Sequence, residues 1–379
     1  MMGNRSLTAE NRGLFETALF EAAKKASSLL EPRSLGVLFR KPLLDEDCPE
    51  VSDVDLISIW EGPEEFPERV TVDGQMGRVY VDVLWIPVSK MVDSLEAASY
   101  KVLPHLLLEY EPVWLRSEPV RHLIDSIKLS VYDKVVWEHR IRHQIGFGDA
   151  ALEESRKNLD FPSAALFFLQ TAHSYYITAL ADCLKRSTMS LLTRPVTKLE
   201  HMAAETNCEL EPLLRANLHL DVDPSPSLAA LRRVYDNVRL RCAGRQLSGV
   251  SMRAKGHFAY SISALELEYR ELVANALIAK KDYPNANFYL RFWAYSLSRC
   301  PVVLEEAREG RKPSFYVPFL EPFKKSVQAT CPEILADMKT IFGEKVTTLE
   351  VEESIKGTTL FKKLVSDEIQ DRGLSLQQK

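Results

Sequence analysis

The first third of the chain has short apolar segments separated by polar turns. Residues 8–31 show helical spacing and are followed by Pro32, which predicts a helix. Apolar runs bounded by Gly, Pro and Asp then predict strands at 35–39, 53–60, 78–86 and 106–115, with a helix at about 89–102. A helix, three strands, a second helix and a fourth strand are typical of a compact α+β sheet domain.

Beyond about residue 118 the pattern becomes helical. The longest pattern covers 150–186, where small and aromatic residues from Ala165 to Cys183 recur every three or four positions. Further helices are predicted at 120–145, 194–206, 225–244, 258–281, 284–308 and 322–342. The predicted fold class is α+β, with a small mixed sheet followed by a larger all-α bundle. The predicted domains are 1–118, 119–255 and 256–379, the last being a helical region packed on the bundle.

Two aspartates interrupt a strongly apolar strand in the run Val51-Ser52-Asp53-Val54-Asp55-Leu56. Because side chains alternate along a strand, Asp53 and Asp55 are expected on the same face. Asp82 lies in a second apolar run, so pairing of the two strands would bring three carboxylates together. Most isolated Asp-x-Asp pairs are solvated strand ends, but unpaired charges in apolar strands are costly. This cluster therefore predicts a hard divalent cation such as Mg²⁺.

The segments 35–40, 52–56 and 81–83 together resemble the nucleotidyltransferases of the DNA polymerase β superfamily, including kanamycin nucleotidyltransferase-like and minimal members. The resemblance covers about residues 10–120. It implies a mixed sheet backed by helices, with Asp53, Asp55 and Asp82 as catalytic residues that hold two Mg²⁺ ions.

The same resemblance implies which residues contact the phosphates of a nucleoside triphosphate. These are Gly36, Val37, Arg40 and Ser52. Val37 stands where the family normally has serine, which removes a hydroxyl from the expected phosphate turn. Structural alternatives remain open for the others: a turn glycine, a solvated arginine and a turn-capping serine.

The implied reaction transfers a nucleoside monophosphate, AMP from ATP, to a hydroxyl of a small molecule or protein. Asp82 could also accept the proton of that hydroxyl. One alternative is a catalytically degenerate nucleotide-binding or interaction protein, because of Val37. A structural role is favoured for the neighbouring acids Glu109 and Glu111, since no spacing ties them to the aspartates.

Segments 161–186 and 196–205 resemble a HEPN-type helical domain, while a generic helical bundle stays open. Arg194 and His201 have a spacing compatible with HEPN ribonucleases, which is the second alternative function. Arg-to-His pairs at such spacings also arise easily by chance.

Composition limits the partners. The formal net charge is −5, which favours a small molecule or protein acceptor over a long nucleic acid. No apolar run approaches the ~18 to 20 residues of a membrane span. Six cysteines, at positions 48, 183, 208, 242, 300 and 331, form no close pairs and fit a reducing cytoplasm. A homodimer is left open.

Overall fold

The structure is a computed structural model, and it describes residues 9–40, 53–74, 77–99, 103–186, 194–206, 208–243, 245, 251–311 and 322–376. The chain divides into two compact units. The N-terminal unit consists of Met1–Val131 together with Ser251–Ala276. The C-terminal unit consists of Tyr132–Val250 and Leu277–Lys379. The segment 251–276 thus belongs to the sheet unit, which differs from the sequence-based boundaries at 118 and 255.

The described residues contain five strands in one mixed sheet. The strands are β1 (Gly36–Arg40), β2 (Val54–Trp60), β3 (Phe66–Gly74), β4 (Gly77–Pro87) and β5 (Tyr110–Leu115). Their order across the sheet is β3-β4-β2-β1-β5, with β2 and β4 parallel and all other neighbours antiparallel.

Helices make up most of the remaining described chain. They are α1 (Ala9–Leu30), α2 (Ser94–Ser99), α3 (Leu103–Glu109), α4 (Glu118–Ser130), α5 (Lys134–Lys157), α6 (Pro162–Cys183), α7 (Pro195–Met202), α8 (Leu210–Leu218), α9 (Ser225–Cys242), α10 (Met252–Ser261), α11 (Ala264–Ala279), α12 (Tyr283–Arg308), α13 (Phe323–Thr330), α14 (Leu335–Gly343) and α15 (Thr348–Asp371). The sheet followed by a larger helical part confirms the predicted α+β fold class.

One face of the sheet forms the core of the N-terminal unit. Alternate residues of β2 and β4, including Leu56 and Val83, are buried against Ala22 and Ala26 of α1. Alternation then places the intervening residues, including Asp55 and Asp82, on the opposite face. The alternating apolar residues of β2 and β4 pack against α1, and this alternation determines the face of the sheet on which the aspartates lie.

The C-terminal unit has its own core, which α5, α6, α8 and α15 share. Tyr176 and Phe361 are among its fully buried side chains. A buried ion pair joins two of the helices: Arg140 Nε and Nη2 donate to the Asp182 carboxylate at 2.7 and 2.8 Å. This bidentate ion pair gives each of the two buried charges a hydrogen-bonded partner of opposite sign.

Several element predictions were wrong. Strand β3 was not expected, and the predicted strand at 106–115 is confirmed only from Tyr110, where β5 begins, because 106–109 form the end of α3. The predicted helix at 150–186 is broken between Lys157 and Pro162. Helices α8 and α15 were not predicted.

Among the described residues, no helix is both long enough and apolar enough to cross a bilayer.

Candidate metal centre

The strand register places four charged residues in one row across the sheet. Asp55 of β2 pairs with Asp82 of β4, and Asp82 pairs with Arg69 of β3. On the other side, Phe39 pairs with Leu56, so the next residue along β1, Arg40, stands opposite Asp55. Directly paired residues share a face of the sheet. The row therefore reads Arg69, Asp82, Asp55, Arg40, with two acids flanked by two arginines.

Asp53 lies immediately before β2 and joins the two acids of the row. One carboxylate oxygen each from Asp53, Asp55 and Asp82 lies within 4.8 Å of the others. All three side chains are partly buried, with 19%, 28% and 27% of their surface exposed. The structure thus brings together the three aspartates predicted from the sequence.

Burial and mutual repulsion perturb these acids. Loss of hydration, reinforced by the charge of Asp53, raises the pKa of Asp55 to about 6, against the opposing pull of Arg40. Loss of hydration also raises the pKa of Asp82 well above its usual value, although Arg69 acts in the opposite direction. Both carboxylates are therefore better bases than a solvated aspartate, and both would gain from a cation that stabilises the ionised form.

Each arginine of the row holds an aspartate with its outer nitrogens. Arg40 Nη1 donates to Asp55 Oδ2 at 3.3 Å. Arg69 bridges two acids, since its Nη2 donates to Asp82 Oδ2 at 2.6 Å and its Nη1 donates to Asp53 Oδ2 at 3.4 Å. All of these ion pairs use the Oδ2 atoms.

Helices α10 and α11 complete the surroundings of Asp82. The Tyr260 hydroxyl lies 3.2 and 3.1 Å from the two oxygens of Asp82, and it accepts a hydrogen bond from Arg270 at 2.8 Å. Glu266 Oε2 lies 2.6 Å from Arg69 Nε, and its other oxygen pairs with Arg270. Burial raises the pKa of Tyr260 well above its usual value, so the phenol stays protonated and can donate to Asp82.

The residues of this cluster fit a hard divalent cation. Carboxylate oxygens are the ligands that Mg²⁺ prefers. Within the described ranges, the Oδ1 atoms of Asp53 and Asp55 have no hydrogen-bond partner. Counted in their charged forms, the five carboxylates and three guanidinium groups of this cluster leave a formal charge of −2. Divalent cations would offset that charge.

The structure does not bring the predicted phosphate turn to the acids. Gly36 begins β1 and pairs with Ile59, so it lies about 13 Å along the strands from Asp55. A Cβ at Gly36 would lie 2.6 Å from Leu115 Cδ2, which makes close packing against β5 the reason for a glycine. Val37 is fully buried in the core beneath α1. Ser52 lies outside the described residues.

Other acids and the Arg–His pair also have clear positions. Glu109 ends α3, and its Oε2 lies 3.0 Å from Arg40 Nε. Glu111 is exposed on β5. Arg194 precedes α7 and pairs with Asp282 at 3.3 Å, whereas His201 lies seven residues later, about 10 Å along the helix. The structure gives no support for joint chemistry by these two residues.

Sequence reasoning missed Arg69, Tyr260, Glu266 and Arg270. Arg69 lies in a segment that was read partly as a loop, because Gly62, Pro63 and Pro67 signal turns. The other three follow Arg69 by about 190 to 200 residues, on helices whose sequence pattern does not reveal a partner. Ser263 and Glu266 do form a Ser-x-x-Glu signal for a helix start, and the Glu266 amide donates to Ser263 Oγ at 3.0 Å. The Ser-x-x-Glu signal predicts the start of α11 but does not indicate that Glu266 lies near the aspartate cluster.

Comparison with known proteins adds no assignment: the chain matches no protein-family model, and no curated protein shows significant similarity to it.

Proposed function

We propose that this protein is a Mg²⁺-dependent nucleotidyltransferase that transfers a nucleoside monophosphate, AMP from ATP, to a hydroxyl group: the hydroxyl oxygen attacks the α-phosphorus, the α–β phosphoanhydride bond breaks, and pyrophosphate leaves. The observation that supports the proposal is the convergence of Asp53, Asp55 and Asp82 within 4.8 Å across paired strands. Arg40 and Arg69 offset only part of the charge of these three partly buried carboxylates and their neighbouring glutamates, so a multivalent cation would stabilise the cluster. Their order in the chain and their strand positions agree with the resemblance to the polymerase β superfamily.

In this proposal Asp53, Asp55 and Asp82 hold two Mg²⁺ ions. Bound Mg²⁺ would neutralise the triphosphate and favour ionisation of the attacking hydroxyl. Asp82 would also accept the proton of the attacking hydroxyl. Arg40, whose side chain is 12% exposed beside Asp55, is the cationic group placed to contact a phosphate.

The acceptor in this proposal is a small molecule or a protein side chain. The net charge of −5 disfavours a long polyanion, which would need a basic surface. We assign the reaction to the cytoplasm. The five described cysteines, at 183, 208, 242, 300 and 331, form no disulfide, which fits a reducing compartment.

The test is calorimetric binding of ATP in the presence and absence of Mg²⁺, followed by an acceptor screen with α-labelled ATP. The variants are Asp55→Asn and Asp53→Asn, which remove a ligand charge with little change in shape. The matched control is Asp73→Asn, an exposed aspartate at the end of β3 outside the cluster. We expect Mg²⁺-dependent binding in the wild type and the control, and its loss in both cluster variants.

The outcomes separate the proposed enzyme from its alternatives. Binding without turnover of any acceptor would favour a degenerate nucleotide-binding protein. Nucleotide binding that persists in Asp53→Asn and Asp55→Asn would show that the acid cluster is not the site, and would overturn the proposal.

A further inference from the structure

We propose that Arg69 is a positioning residue for the metal-binding aspartates and that Glu266 holds it in place. Arg69 fixes the orientation of Asp82 and Asp53 through its two outer nitrogens. Glu266 forms an ion pair with Arg69 at its inner nitrogen, without a hydrogen bond between the two atoms. This inference rests on the proposed function, because it assigns a role to residues around the same site.

A repeated arrangement on the two sides of the cluster supports this role. On one side, Glu109 contacts Arg40 Nε at 3.0 Å and Arg40 Nη1 contacts Asp55 Oδ2. On the other side, Glu266 contacts Arg69 Nε at 2.6 Å and Arg69 Nη2 contacts Asp82 Oδ2. In both, a glutamate meets the inner nitrogen and an aspartate meets the outer ones. In both cases the glutamate contact is an ion pair without a hydrogen bond, so the glutamate holds the guanidinium by charge, and the hydrogen bonds of the outer nitrogens set its direction.

Burial distinguishes Arg69 from a residue that contacts substrate. Only 1% of its side-chain surface is exposed, compared with 12% for Arg40. Its guanidinium carbon lies 3.9 Å from the ring centre of Tyr269, so the planar group is also stacked. Arg69 therefore cannot reach a substrate, and its action falls on Asp53 and Asp82.

The choice of oxygens explains what this orientation achieves. Arg69 engages the Oδ2 atoms of Asp53 and Asp82, as Arg40 does for Asp55. With Oδ2 held by an arginine, the Oδ1 atoms of Asp53 and Asp55 are directed to a ligand without a search over rotamers, while the Tyr260 hydroxyl further restrains both oxygens of Asp82. Groups that orient metal ligands in this way commonly change metal affinity by about 10- to 100-fold when they are replaced.

The experiment measures Mn²⁺ and Mg²⁺ binding to the full chain by calorimetry. One variant is Arg69→Lys, which keeps the positive charge but removes the planar guanidinium group. The other is Glu266→Gln, which removes the negative charge beside the inner nitrogen of Arg69. The controls are Arg78→Lys and Glu268→Gln. Arg78 and Glu268 form a similar strand-to-α11 pair at 3.2 Å, but their side chains are 55% and 52% exposed and they lie outside the cluster.

We expect metal dissociation constants about 10- to 100-fold weaker for Arg69→Lys and weaker for Glu266→Gln, with both controls unchanged. A merely structural role would lower the number of binding-competent molecules without changing the dissociation constant of the folded ones. Calorimetry reports these quantities separately. If Arg69→Lys fails to fold, Glu266→Gln carries the test.

Two different failures can be recognised. Wild-type affinity in folded Arg69→Lys and in Glu266→Gln, with binding abolished in Asp55→Asn, would overturn the positioning role while the site stands. Failure of the wild type to bind either metal, with or without ATP, would overturn the proposed function and the inference together.

Discussion

At the scale of single residues, the local hydrophobic pattern was enough to predict the three aspartates of the cluster but not Arg69, which pairs with two of them. Asp53 and Asp55 were located by strand alternation within an apolar run, and Asp82 by the same rule in a second run. Arg69 is charged in a segment of mixed polarity, where an exposed side chain is the normal expectation. Its burial depends on Glu266, which is distant in the chain, so no local pattern could reveal it.

A second buried residue, His173, makes a prediction about pH. His173 is fully buried in α6; its Nδ1 lies 2.9 Å from the Leu169 carbonyl, and Asn217 lies 3.4 Å from Nε2. Loss of hydration lowers its pKa from 6.5 to about 4. The unfolded chain therefore binds the proton more readily than the folded one between these values. Stability should fall as pH decreases from about 6.5 towards 4.

The measurement is the free energy of urea unfolding at pH 7 and pH 5, for the wild type and for His173→Gln. The glutamine is neutral at both values and removes only this contribution. We expect the wild type to lose about 2 kcal/mol more than the variant between the two pH values. Equal losses in both proteins would show that His173 does not titrate differently on unfolding.

At the scale of elements, a strand or helix could be predicted where the sequence of the segment favoured only one kind of structure. The observed β1, β2 and β4 begin and end within one residue of the predicted strands. Segment 106–115 was ambiguous because its short apolar run suits either structure, and α3 takes the first part. The break after α5 follows from Pro162, which starts α6 and cannot continue a helix from before it. Gly357 and several Thr and Ser residues weakened the helical signal of α15.

Packing between α5 and α6 gives a prediction about two glycines of one helix. A Cβ at Gly148 would lie 2.3 Å from the ring of Tyr176, whereas a Cβ at Gly146 would meet nothing within 4 Å. Tyr176 is fully buried and its hydroxyl donates to Asp149 at 2.8 Å, so the ring cannot retreat freely. Gly148→Ala should destabilise the protein by about 1 to 3 kcal/mol. Gly146→Ala should stabilise it by about 0.5 to 1 kcal/mol, as alanine favours the helix.

Urea unfolding of the two variants checks this pair, since both changes add the same methyl group to the same helix. The sign of the change in midpoint should differ between them. Stabilisation by both alanines would mean that α5 and α6 do not approach closely at Gly148.

At the scale of the whole molecule, the hydrophobic pattern predicted the fold class but not the path of the chain. The change from mixed to helical pattern near residue 118 correctly separated sheet from helices. The return of Ser251–Ala276 to the sheet unit could not be foreseen, because a helical pattern looks the same whichever unit it packs against. In the structure α10 packs on β3, and a Cβ at Gly256 would lie 2.5 Å from Phe66 Cβ.

This path predicts which parts of the chain are needed for a stable sheet unit. Residues 1–131 alone would leave Arg69 without Glu266 and expose the side of β3 that α10 covers. Joining 1–131 to 251–276 through a flexible glycine–serine linker restores both. We expect cooperative thermal unfolding, followed by circular dichroism, for the linked protein, and a lower midpoint or no cooperative transition for 1–131. Equal midpoints would show that the returning segment is dispensable for the sheet. In that case, Arg69 and its aspartates would have to be held by the strands alone.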